Sequence, residues 1–172
     1  IDVLVINAGV YRATPFLELS ESDWDTVIDT NLKGAFLCGQ VVAQTMVAAQ
    51  GPGKILMIAS TQGKRPIRGT TAYATSKSGM IALGKAMALE LASYRIGVAV
   101  ICPGVIESAG NLALLHDPAI RAQVEAQIPL GRVGQPCDVA NLAVFLASDE
   151  AEYITGASFV IDGGLLLAGP QV

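Results

Sequence analysis

Four short apolar runs, each closed by a turn and separated by segments of helical period, restrict this chain more than any other feature. Val3–Ile6 ends in Asn7-Ala8-Gly9. A second run, 54–60, carries Ile55, Leu56, Met57 and Ile58 and ends at Ser60. The third, 97–101, leads into Pro103-Gly104, and Ser158–Ile161 turns out through Asp162-Gly163-Gly164. These runs are continuous rather than alternating, as strands buried on both faces are. Between them lie helical patterns over about 24–49, opened by Ser20 as a cap with acidic residues behind it, and over 72–94 and 136–148. The second of these carries the stripe Met80, Leu83, Gly84, Met87, Leu91. Residues 105–129 are less regular and predict short helices, one over 118–127. Strand alternating with helix in this way predicts an α/β fold with a doubly wound parallel sheet.

Composition agrees and narrows the partners. The chain has 172 residues, enough for one domain with a real core. Hydrophobic residues make up 52%, charged residues 15%, and the mean hydropathy is +0.50. That suits a covered sheet, or a subunit that buries surface in an oligomer. A net charge of −4 and a pI near 4.9 argue against nucleic acid and against an anionic membrane. No apolar stretch reaches the ~18 residues of a membrane span. The start of the chain has no basic segment ahead of its apolar run, so it does not read as a signal peptide. The three cysteines, Cys38, Cys102 and Cys137, form no metal or redox spacing and read as reduced, which points to the cytosol.

In a doubly wound sheet, ligands bind outside the carboxyl ends of the strands. Asn7-Ala8-Gly9, Ser60 and Pro103-Gly104 all fall there, and so converge from distant parts of the chain. On the helix that follows, Tyr73-Ala74-Thr75-Ser76-Lys77 places a Tyr and a Lys four apart, on one face. A free tyrosine, with a pKa of ~10, is a poor acid/base at neutral pH. A neighbouring ammonium is expected to lower that value and make Tyr73 able to exchange a proton with an alcohol oxygen. Ser60 could hydrogen-bond the same oxygen. Asn31 sits mid-helix, where Asn is a poor helix former, and its amide could hold a water and a backbone carbonyl. Singly, each has an ordinary structural explanation: a helical Tyr–Lys pair, a strand-end cap, an exposed Asn, a Pro-Gly turn. In this order and at these spacings the ordinary explanations become improbable together.

These residues resemble the short-chain dehydrogenase/reductase family, in its single-domain branch, over the whole chain. Asn7-Ala8-Gly9 is similar to the family's NNAG turn, Ile58-Ala59-Ser60 to its serine-bearing strand end, and Tyr73 to Lys77 to its YxASK helix. Asn31, in Thr30-Asn31-Leu32-Lys33-Gly34, matches its Asn, and the segment from Pro103 to Ser108 matches the one that touches the nicotinamide. Pro129-Leu130-Gly131-Arg132, Tyr153-Ile154-Thr155-Gly156 and Asp162-Gly163-Gly164 follow its C-terminal pattern. Ile6 stands where the pattern has Asn, Ser108 where Thr is usual, and Cys137 where Glu is common; no catalytic group is lost.

The resemblance implies a Rossmann-like fold and an oxidoreductase that moves hydride between NAD or NADP and a carbonyl/secondary alcohol pair. Tyr73 would be the acid/base, Lys77 would lower its pKa and bind the ribose, Ser60 would hold the substrate oxygen, and Asn31 would anchor a relay water. The cofactor would rest on Asn7, Ala8, Gly9, Tyr73, Lys77, Pro103, Gly104, Ile106 and Ser108, with 105–127 as the substrate lid. The family opens with a strand, a turn TGxxxGxG and a helix, and none of these occurs here; on the size of such a unit, roughly 75 further residues are expected ahead of Ile1. The chain then reads as the C-terminal two-thirds of one domain. The resemblance also implies a homo-oligomer, a tetramer or dimer, built on 31–50, 72–94 and 158–172. The alternative is a non-catalytic fragment that acts by association. An enoyl reductase is disfavoured, because that relative spaces its Tyr and Lys more widely. The substrate, the direction of reaction and the choice between NAD and NADP stay open.

Overall fold

The structure, a computed structural model, describes residues 1–168, with 113 and 114 described by backbone alone. Four parallel strands, β1 (Val3–Ile6), β2 (Gly53–Ile58), β3 (Ile96–Pro103) and β4 (Ser158–Ile161), form one sheet in sequence order. The helices are α1 (Glu21–Ile28), α2 (Gly34–Ala49), α3 (Thr71–Leu91), α4 (Ala109–Leu115), α5 (Pro118–Glu125) and α6 (Pro136–Ala147).

Strand alternation sorts the core into two layers. Ile55, Met57, Val98, Val100 and Cys102 face one side, against Ala35, Ala43 and Met46 of α2 and Met80 and Ala88 of α3. Leu56, Ala99 and Ile101 face the other side, against Leu146 and the partly buried Val139, Leu142 and Ala143 of α6. Strands β2 and β3 are therefore apolar throughout because both of their faces are covered. β1 departs from the expectation of a buried strand: Ile6 is buried, but Val3 and Val5 are 41% and 48% exposed. Both belong to the face that α6 covers, and α6 lies over β2 and β3.

The expected single helix over 24–49 is interrupted. Ser20 caps it as foreseen, its Oγ accepting from Asp23 N at 3.1 Å. Residues Asp29–Lys33 then form a π-turn between α1 and α2. Such bulges widen the backbone by one residue and gather at functional sites; Asn31 sits inside this one, fully buried. The run Glu21–Ala49 is long and apolar enough to cross a membrane by length and composition alone. Its buried residues Val27, Ala35, Ala43 and Met46, with Asn31, instead belong to the protein interior.

β2 ends two residues before Ser60, which caps the 3-10 turn Thr61–Gly63 and accepts from Gln62 N at 3.1 Å. The loop beyond is polar and basic, with Lys64, Arg65 and Arg68 all exposed. Arg65 is exposed, yet it donates to the carbonyls of Leu165, Leu166 and Ala168 at 2.9 to 3.3 Å, tying this loop to the end of the described chain. Residues 169–172 of the expected 158–172 interface lie outside the described residues.

The α3–sheet contact depends on Gly84. A Cβ there would lie 2.5 Å from Val100 Cγ2 and 3.2 Å from Met57 Sδ. Val100 is β-branched, fully buried and stiff, so the sheet cannot give way easily. Helix propensity alone would make Gly84→Ala stabilising by ~1 kcal/mol. Overpacking reverses the sign: the substitution is expected to destabilise by about 1–3 kcal/mol, read by denaturant unfolding.

Candidate active site

The carboxyl ends of β1, β2 and β3 open into a cleft of ≈ 550 Å³. Asn7 and Gly9 line it from the β1 turn, Ser60 from beyond β2, Tyr73 and Lys77 from α3, and Pro103, Gly104, Ile106 and Ser108 from beyond β3. Of the eleven residues singled out from the sequence, these nine come together. Ala8 does not line the cleft: alternation carries Val5, Asn7 and Gly9 to it and the residues between them away. Asn31 does not line it either, and stands behind it at 0% exposure.

The Asn31 amide is fully occupied as a donor. Its Oδ1 accepts from Val10 N at 2.7 Å, and its Nδ2 donates to Val10 O at 2.9 Å and to Ser76 Oγ at 3.1 Å. Ser76 Oγ in turn donates to the Tyr73 carbonyl at 2.7 Å. One buried amide thus fixes the loop after β1 to the helix that carries Tyr73. An amide nitrogen has two hydrogens, and both are spent on protein. The side chain therefore holds backbone, and only the second lone pair of Oδ1 is left over. Gly9 lets the loop approach this closely, since a Cβ would lie 3.1 Å from Asn31 Oδ1 and 3.5 Å from Lys77 Nζ. Gly104 does the same on the other side, where a Cβ would meet Asp162 Cβ at 2.7 Å.

Lys77 is 4% exposed, with Nζ donating to the Ile58 carbonyl at 2.8 Å and lying 5.7 Å from the centre of the Tyr73 ring. Burial lowers its pKa to about 8, partly offset by Cys102. It still carries most of its charge at neutral pH. The tyrosine corrects the expectation from sequence. Burial pushes the Tyr73 phenol up, Ser60 pulls it partly back down, and nearby Tyr11 raises it further. Desolvation of the phenolate outweighs the attraction of an ammonium that sits over the ring and bonds elsewhere. Here Ser60 is the residue that lowers the phenol. The Ser60 hydroxyl accepts from Gln62 N, which leaves its own O–H free to donate into the cleft.

Three contributors escaped the sequence reading. Tyr11 sets its ring edge-on to Tyr73, with centroids 5.0 Å apart and planes at 76°. Its position two residues past Gly9 was the available signal. Asn111 of α4 lines the cleft and donates to the Ile106 carbonyl at 2.9 Å. Glu107, between cleft residues Ile106 and Ser108, is gripped by Arg121 of α5 through two bonds of 3.0 and 3.1 Å and by Gln135 Nε2 at 2.7 Å. These hydrogen bonds, Arg121 first, hold the Glu107 carboxyl at about 2, so the ion pair persists across the physiological range. It joins the two ends of the expected lid, 105–127, to each other.

The donor set fits the nicotinamide end of a dinucleotide. A buried ammonium and a carboxamide from Asn7 stand beside glycines at points of close approach. The family described as enoyl-(acyl carrier protein) reductase matches over residues 1–166. The rat (3R)-3-hydroxyacyl-CoA dehydrogenase is 43% identical over 165 residues, covering 96% of this chain and 63% of that protein. A 4-hydroxyisoleucine dehydrogenase complexed with NADH superposes with a TM-score of 0.95 at 34% identity, over 98% of this chain and 69% of that one. A gluconate 5-dehydrogenase from Burkholderia cenocepacia, in complex with NADP and tartrate, gives 0.93 at 35%, over 98% and 66%. This chain spans about two thirds of the length of these relatives. Matched over almost its entire length by fold and by sequence, the chain belongs to the short-chain dehydrogenase/reductase family.

Proposed function

We propose that the protein is an NAD(P)-dependent oxidoreductase acting on a carbonyl/secondary alcohol pair, within one Rossmann-like domain of which this chain is the C-terminal two-thirds. The observation that carries the reading is the meeting of Ser60, Tyr73 and Lys77 in one cleft, with Asn31 bracing it from behind. Asn7, Gly9, Lys77 and the segment from Pro103 to Ser108 would hold the nicotinamide half of the cofactor. That group, when bound, gives or accepts a hydride. Ser60 donates a hydrogen bond to the substrate oxygen, and Tyr73 exchanges the proton with it. Burial keeps the phenol protonated, the form that gives the proton in carbonyl reduction, and alcohol oxidation uses the same group in reverse. The family's description names reduction of a carbon–carbon double bond. The spacing of Tyr73 and Lys77 supports the carbonyl reaction instead. Three free cysteines, Cys38, Cys102 and Cys137, suit a reducing compartment such as the cytosol.

The same reading includes a homo-oligomer. Between α2 and α3 runs an apolar groove of ≈ 530 Å³ lined by Phe36, Ala43, Val47, Leu83, Met87 and Leu91. Phe36 and neighbouring Leu37 and Leu89 are 43%, 48% and 84% exposed, more apolar surface than a lone helix pair ordinarily shows. The groove also supports the alternative of an association module without catalysis, which the following measurements separate.

Tyr73→Phe in the full-length protein is expected to cut carbonyl reduction by about 10²–10⁴-fold while NAD(P)H binding, followed by fluorescence, is retained. Activity near wild type would sink the catalytic reading. Ser60→Ala removes the group that pulls the phenol down, so the Tyr73 pKa is expected to rise further above 10.0. Tyrosinate absorbance, differenced against Tyr73→Phe, reads that shift directly; a fall would contradict the assignment. Phe36→Glu, which places a charge on the exposed lining of the groove, is expected to lower the molar mass by light scattering; a wild type that is already monomeric would end the oligomer proposal.

A further inference from the structure

One wall of the cleft is left unexplained by the residues of the family pattern. Tyr11 forms it, and its position is held from both sides. Asn31 brackets Val10 through two hydrogen bonds, Arg12 pairs with Asp23, and Thr14 N donates to the Gly69 carbonyl at 2.7 Å. A tyrosine on so constrained a loop that is still 54% exposed presents its ring to the cleft as a fixed surface, edge-on to Tyr73. Aromatic surfaces of this kind gain most from flat apolar groups laid against them.

Charge restricts the occupant further. Among the described residues lining the cleft, Lys77 is the one that carries charge at neutral pH, and its ammonium is bonded to the Ile58 carbonyl. Arg12 is committed to Asp23 and Arg65 to the carbonyls of Leu165, Leu166 and Ala168. A carboxylate beside the reacting carbon would therefore meet no unengaged cation among the described residues that line the cleft, which is costly where it is desolvated. The hydroxyls of Ser60 and Tyr73 suit an uncharged oxygen.

Resting on the oxidoreductase reading above, we infer that Tyr11 is a specificity-determining residue and that the substrate is uncharged at its reacting end, a ketone or secondary alcohol with a flat apolar substituent laid against Tyr11, in preference to a 2-keto acid. Methyl benzoylformate and benzoylformate share a phenyl ketone and differ in charge, which makes them a matched pair of probes. With the full-length protein and its preferred coenzyme, kcat/KM for the ester is expected to exceed that for the anion by at least about a hundredfold. Tyr11→Ala is expected to raise KM for the ester about tenfold with kcat changed by less than about threefold, and Tyr11→Phe to stay near wild type. Coenzyme affinity should stay within about twofold in both variants, since Tyr11 is not among the residues expected to hold the coenzyme. Equal or better use of the anion, or an unchanged KM in Tyr11→Ala, overturns the inference. The ester-to-acid ratio of the wild type decides the charge argument even if Tyr11→Ala does not fold. Coenzyme binding without reduction of either probe overturns the substrate assignment and leaves the oxidoreductase reading standing, whereas failure to bind coenzyme removes both.

Discussion

The register of the parallel sheet governs everything else in this molecule. Ile6 pairs with Met57, Ile58 with Ile101, and Pro103 with Ile161. Because the strands run the same way and end nearly level, the loops that leave them open on one side of the sheet. The polar residues of those loops have no apolar layer to enter and gather there by default. Burial of both faces of β2 and β3 makes that arrangement rigid, since a one-residue slip would exchange the α2/α3 layer for the α6 layer. The cleft is a consequence of how the core is built.

Rigidity at the sheet does not by itself fix the distances between loops, and Asn31 supplies that second constraint. A fully buried amide with no water to fall back on must have its partners or cost several kcal/mol. Here the partners are Val10 on the β1 side and Ser76 on the α3 side. Satisfying one side chain therefore sets the spacing between the turn at Gly9 and the helix turn that bears Tyr73 and Lys77. The π-turn of Asp29–Lys33 is the local cost of aiming that amide inward. Tyr11 inherits its position from the same clamp, being next in the chain to Val10.

Most of this was readable in the residues for definite reasons. The strands were legible because covered parallel strands are uninterrupted apolar runs, and Ser20 because a cap followed by acidic residues has few other uses. Ser60, Tyr73 and Lys77 were legible because spacing along one helix, and position at a strand end, survive in sequence. What did not survive was anything set by contacts between distant segments. A π-turn has no pattern of its own beyond an Asn in an unfavoured place. The exposed Val3 and Val5 look the same in sequence as their buried counterparts Leu56 and Ile101, because coverage depends on where α6 comes to rest. The grip of Arg121 on Glu107 joins α5 to the segment ahead of α4, fourteen residues apart, and left no periodic signal.

The balance at Tyr73 shows most clearly why geometry was needed. From sequence, a lysine four residues on should stabilise the phenolate. In the folded protein both groups are buried, and burial disfavours the charged form of each: it drives the phenol up and the ammonium down to about 8. The two shifts carry the pair past each other, from ordinary values of 10.0 and 10.5 to the inverted order. As pH rises, the ammonium loses its proton first. Across the neutral range the site therefore holds a protonated phenol beside a largely charged lysine, with Ser60 the one neighbour that moderates the phenol. A hydroxyl in that state can give a proton to a neighbouring oxygen and take it back, so burial and Ser60 set how readily Tyr73 exchanges it, while the direction of exchange is not theirs to set.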